Sequence, residues 1–154
     1  MTPDQYCESR AAKSGSSFYY SFKLLPPERR RAITALYAFC REVDDVVDEV
    51  SDPALARTKL AWWRREIDAV FTGSPQHPVA LALKPVVATY RLPEAHFQTV
   101  IDGMAMDLDC SRYLDFVELE RYCHCVAGAV GLLAAEIFGY ANPATRQYAR
   151  DLGI

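Results

Sequence analysis

The stretch "PPERRRAITALYAFCREVDDVVDEV", residues 26–50, decides the fold. From Pro27 to Val50 it has no internal Gly or Pro, and Pro27 suits the first helical position, where its missing N–H costs nothing. At about 100° per residue, Phe39, Val43, Val46 and Val50 fall on one side, with Leu36 and Val47 widening the band. Tyr37, Arg41, Asp44 and Asp48, spaced i, i+4, i+7 and i+11, fall nearly opposite. The pattern predicts one long amphipathic helix with an acidic stripe. Five carboxylates crowd between Glu42 and Glu49. Like charges at i and i+4 cost a helix about 0.2–0.5 kcal/mol per pair, and the dipole disfavours negative charge near a helix C-terminus. The stripe is either a solvated face or one where a cation offsets the repulsion. Mg2+ takes one or two carboxylates together with waters and substrate phosphates. Arg41, one turn before Asp44, could donate to the same phosphate oxygens or orient the aspartates.

Outward from this helix, start signals recur and strand signals do not. Thr2, Pro3 and Gln5 form a capping-box pattern. Asp52 and Pro53 open another helix that stops at Gly73, and Asn142 and Pro143 open a last one. "DFVELERYCHCVAGAVGLLAAEIFG" runs as a long helix from a cap at Asp115 to Gly139. "GSPQHP" (73–78) and "LPE" (92–94) read as short connections, with shorter helices over 79–90 and 94–108. There is no internal repeat or linker, so residues 1–154 read as a single all-α domain.

Composition limits the function classes. The chain has 154 residues, 51% of them hydrophobic, which predicts a folded core. Lys and Arg total 17 against 20 Asp and Glu, so no basic surplus points to nucleic acid. Five cysteines without regular spacing fit a reducing cytoplasm better than a disulfide framework. The longest uncharged apolar stretch, from Cys125 to Ala135, is too short to span a bilayer, which needs about 20 residues. Membrane contact would therefore be peripheral. In "VAGAVG", Gly128 and Gly131 stand inside a helix at a cost of about 1 kcal/mol each relative to Ala. Close packing by another helix or passage of a long apolar ligand would compensate.

The segment "SGSSFYYSFKLLPPERRRAITALYAFCREVDDVVDE" (14–49), together with "YCHCVAGAVG" (122–131), resembles the squalene/phytoene synthase family of head-to-head prenyltransferases. With "MTPDQYC", "DGMAMDLD" and "AAEIFGY", the wording is most similar to bacterial presqualene diphosphate synthases of hopanoid and squalene biosynthesis. The resemblance implies an all-α isoprenoid (terpenoid) synthase helical bundle acting on prenyl diphosphate with Mg2+. It implies Asp44 and Asp48 as metal ligands. Tyr37, Arg41 and the adjacent Asp45 fall at the diphosphate, Ser14, Gly15, Ser16 and Ser17 line that region, and Phe18 lies on the prenyl side. Tyr122 is implied as the catalytic proton-transfer residue. His124 and Cys125 depart locally from the family's pattern. The family's second aspartate-rich motif, expected shortly after "YARDLGI" (148–154), does not occur. The expectation is thus a bundle truncated to its N-terminal half, inactive alone, cytoplasmic or peripheral to the inner membrane, and prone to self-association through exposed apolar faces.

The implied reaction condenses two farnesyl diphosphates to presqualene diphosphate. Phytoene synthesis from geranylgeranyl diphosphate, a related enzyme acting after presqualene diphosphate, and a non-catalytic helical binding module are the alternatives. Other candidates have plainer readings. "CHC" (123–125) cannot converge on one zinc from successive helical positions. His77 and His96 read as surface residues, and "WWRRE" (62–66) as packing with a charged flank. Asp102, Asp107 and Asp109 read as surface caps or as a pocket mouth. Arg29, Arg30 and Arg31 read as solvated, with diphosphate or an anionic membrane as the other uses.

Overall fold

Local capping devices set the helix starts. The computed structural model describes residues 2–13, 25–49, 51–110 and 127–137, the side chains of 107–110 excepted. Helix α1 spans Pro3–Lys13. Its capping box is reciprocal: Gln5 N–H donates to Thr2 Oγ1 at 3.1 Å, and Thr2 N–H donates to Gln5 Oε1 at 2.9 Å. Helix α2, Pro27–Glu49, is the long amphipathic helix the spacing predicts. Helix α3, Pro53–Thr72, begins where Asp52 accepts from Ala54 N–H at 3.0 Å and ends where Gly73 N–H reaches Ala69 O at 2.9 Å. Helix α4, Pro78–Tyr90, ends at Arg91, whose φ of 53° is left-handed. Helix α5 is Glu94–Cys110, and residues 127–137 are also helical, here α6. The helices expected over 79–90 and 94–108 thus run slightly longer. The starts expected at Asp115 and Asn142 lie outside the described residues. No strand occurs among the described residues.

Helix α2 is the hub, packing against α1, α3, α4 and α5, while α3 also pairs with α5 and α1 with α4. The predicted apolar band explains this. Leu36, Phe39, Val43 and Val46 are buried, each worth about 1.5–3 kcal/mol when removed from water. Ala35 and Ala38, fully buried, add little bulk where neighbouring helices approach. Phe39 sits edge-on to Trp63 of α3 and Phe97 of α5, with ring centroids 6.0 and 5.4 Å apart. Ala129, Leu133 and Ile137, on one face of α6, join the same core. Gly128 and Gly131 are buried as well. Cys7 and Cys40 are free thiols. No helix among the described residues is long and apolar enough to cross a membrane.

Candidate functional site: the acidic face of helix α2

The second half of α2 carries the candidate site, and its geometry follows from the burial of the opposite face. With Val43 and Val46 pinned in the core, Arg41, Asp44 and Asp48 are turned outward together. Arg41 Nη1 donates to Asp44 Oδ2 at 3.2 Å, and its Nη2 donates to Asp45 Oδ1 at 3.1 Å. Asp48 is exposed one turn further on, and Tyr37 is half-buried one turn before Arg41. Thus Arg41, Asp44 and Asp48 of the predicted stripe share the surface, while Tyr37 also packs against the core. Asp45 differs from them: its side chain is 15% exposed, against 38% for Asp44. It turns toward α1, where Arg10 Nη2 takes its second oxygen, Oδ2.

Arg10 also approaches Glu42. Its Nε lies 3.0 Å from Glu42 Oε1, an ion pair by distance whose N–H is not aligned for a hydrogen bond. Tyr6, one turn before Arg10 on α1, donates to the same Glu42 oxygen at 2.7 Å. Burial and then this hydrogen bond to an anion push the Tyr6 phenol up to about 12. Burial works to lower the Arg10 pKa, but the hydrogen bond to Asp45 and the charges of Glu42 and Asp45 outweigh it and raise the pKa. The result is a layer of charge flanking the stripe on the side that faces α1.

His77 is a correction. Expected on the surface, it is half-buried: it caps α4 through Nδ1, which accepts from Val79 N–H at 3.1 Å. Its ring packs 4.7 Å from Trp63 and 5.5 Å from Tyr6, centroid to centroid. With Nδ1 accepting, Nε2 carries the proton and lies 4.0 Å from Glu42 Oε2. Burial lowers its pKa despite the pull of Glu42 and Glu66. Glu66, within the "WWRRE" run, is buried and accepts from Gln76 and His77 N–H, both at 3.0 Å. It closes the α3–α4 connection. Trp63 packs inward and Trp62 is 36% exposed, so the rest of that run matches its expected role.

The remaining candidates separate cleanly. Asp102 is exposed and paired with Arg64. Arg30 pairs with Glu8 at 3.2 Å, while Arg29 and Arg31 are exposed. Arg30 and Arg31 line a cavity of about 290 Å³ with Asp4, Gln5, Glu8, Pro27 and Thr34. Two cations against two anions there give no preference for phosphate. His96, also expected on the surface, is half-buried on α5. Ser14, Gly15, Ser16, Ser17, Phe18, Tyr122, His124 and Cys125 lie outside the described residues, as do the side chains of Asp107 and Asp109.

The donor chemistry of the stripe fits Mg2+ in one specific way. Among the described residues no group of three or more His, Cys, Asp or Glu converges on one point. Asp44 and Asp48 instead offer two outward carboxylates one turn apart, the partial set Mg2+ takes when phosphates and waters complete its shell.

The model of the squalene/phytoene synthase family matches residues 11–154. This chain belongs to that family. It is 37% identical over 135 residues to a 15-cis-phytoene synthase of Synechocystis sp., covering 88% of this chain and 40% of that protein. It is 39% identical over 147 residues to a phytoene synthase of Mycobacterium tuberculosis, covering 96% of this chain and 48% of that one. A dehydrosqualene synthase crystal structure superposes with a TM-score of 0.84 at 31% identity, covering 98% of this chain and 52% of the other. The squalene synthase HpnC from Alicyclobacillus acidocaldarius gives 0.77 at 28%, covering 96% and 56%. The fold is therefore the all-α isoprenoid synthase fold, and this chain spans about half the length of the relatives it matches.

Two features around the candidate site carry little signal in the sequence. Arg10 and Tyr6 share a face of α1 at i and i+4, which is a visible signal, but their partner Glu42 is more than thirty residues away. The capping role of His77 was hinted at by Pro78 behind it, the usual companion of an N-cap.

Proposed function

We propose that this chain supplies one jaw of a Mg2+-diphosphate clamp in a head-to-head prenyltransferase. The observation that carries the reading is the outward set of Asp44 and Asp48 with Arg41 held beside them at 3.1–3.2 Å from two carboxylates. Asp44 and Asp48 would hold Mg2+, which when bound supplies Lewis-acid stabilisation of a departing diphosphate. Arg41 donates to diphosphate oxygens, and Tyr37 borders the same face. The serine-rich turn of Ser14, Gly15, Ser16 and Ser17 lies by resemblance at the diphosphate, with Phe18 on the prenyl side. Loss of diphosphate leaves an allylic cation, the 2,3 double bond of a second prenyl group captures it, and proton loss closes a cyclopropane. Tyr122 is assigned to that proton step, with the released diphosphate as the acceptor. Apolar surroundings keep water from quenching the cation.

Two substrate lengths have support. The sequence wording favours two farnesyl diphosphates and presqualene diphosphate as the product. The phytoene synthase names of the relatives favour geranylgeranyl diphosphate. Calorimetric titration of inorganic pyrophosphate into the chain tests the site: binding requires Mg2+ and is abolished in the Asp44→Asn, Asp48→Asn double variant. Unchanged binding in that variant would favour a non-catalytic helical module. Competition by farnesyl and geranylgeranyl diphosphate in the same titration ranks the two lengths.

A further inference from the structure

Nothing in the proposed chemistry uses the charged layer beside the stripe, yet one of its members, Arg10, shares the Asp45 carboxylate with Arg41. Arg41 is tied by two single contacts, to Asp44 and to Asp45, and its side chain is 39% exposed. A cation with diphosphate claims Asp44, which leaves Asp45 as the remaining anchor. Asp45 is a sound anchor only while its other oxygen is occupied. With that oxygen unengaged it can take Arg41 through both oxygens and draw the guanidinium away from substrate, or swing outward toward Asp44. In this structure Arg10 occupies that oxygen from α1. Arg10 is itself fixed by Glu42, which is held by the Tyr6 hydroxyl at 2.7 Å.

We infer that Arg10 is a positioning residue for the diphosphate site: by holding Asp45 it fixes the Arg41 guanidinium toward the substrate's phosphate oxygens. The inference rests on the clamp proposed above and adds a residue from outside the acidic helix. The contacts of Arg10 are to Asp45 and Glu42, neither of which the proposed clamp assigns to the cation. Its effect is therefore expected in affinity, transmitted through Asp45, on the scale of other residues that orient metal-site groups, about tenfold at the low end.

The test is the pyrophosphate titration at saturating Mg2+, with circular dichroism melts recorded on each variant. Arg10→Gln is expected to weaken binding by about tenfold. Arg10→Lys, which keeps the charge without the planar fork, recovers part of the loss. In an Asp45→Asn background, Arg10→Gln adds no further loss, because coupled residues are non-additive. Equal losses in both backgrounds, or undiminished affinity in Arg10→Gln, would overturn the inference. If Arg10→Gln does not fold, Arg10→Lys alone and on Asp45→Asn reads the same coupling. Binding that survives Asp44→Asn with Asp48→Asn, or that is absent in the unmodified chain, overturns the clamp and this inference together. Binding lost in that double variant but indifferent to Arg10 overturns the inference alone.

Discussion

His77 is both a helix cap and an aromatic packing element, and the capping role requires neutral imidazole. Its Nδ1 accepts from Val79 N–H, and its ring lies against Trp63 and Tyr6. Burial lowers its pKa below the ordinary value of about 6.5, against the attraction of Glu42 and Glu66 and with Arg10 adding to the shift. The unfolded chain therefore takes up the proton first. The His77 contribution is complete above about pH 6.5 and is lost as pH falls through that value toward the folded-state pKa. Thermal melts should show a stability loss between pH 7.5 and 5.5 that His77→Asn, which retains a capping side chain, reduces. An identical pH slope in His77→Asn would refute this. Glu66 steadies the connection just before the same helix, its carboxylate accepting from two backbone donors there.

At the scale of elements, what was legible was whatever is settled within four residues. Thr2, Pro3 and Gln5, or Asp52 and Pro53, declare a helix start because both partners of each capping contact lie within the same turn. Asp52→Ala should cost about 1 kcal/mol in urea denaturation, and Asp52→Asn much less, since an amide oxygen also accepts from Ala54 N–H. The apolar band of α2 was equally readable, because Leu36, Phe39, Val43 and Val46 repeat at helical spacing. Arg10 was not. On α1 it is one polar residue beside other polar residues, and only the docking of α1 on α2 gives it Glu42 and Asp45. Asp45 illustrates the same limit: sequence adjacency grouped it with Asp44, whereas a turn of about 100° gave it a different neighbour.

For the whole molecule, α2 links core and site through one rigid rod. Phe39 interlocks with Trp63 and Phe97 from two other helices, so Phe39→Ala should cost about 3–5 kcal/mol, a large share of the about 5–15 kcal/mol typical of a domain. Guanidinium denaturation checks it, and Phe39→Leu should lose less. The family fold was legible from two motifs, while the length of prenyl chain was not, because it depends on cavity depth between helices rather than on any local pattern. The last turn of α2 adds a consequence of its own. Asp48 and Glu49 stand there with no basic residue in that turn, at the end where the helix dipole is already negative. The segment is locally frustrated, its own charges working against the helix they belong to. On the proposed function, a cation arriving on Asp44 and Asp48 would relieve that conflict, which would link occupancy thermodynamically to the order of this turn. The turn proposed to recognise the cation would then report its departure by fraying.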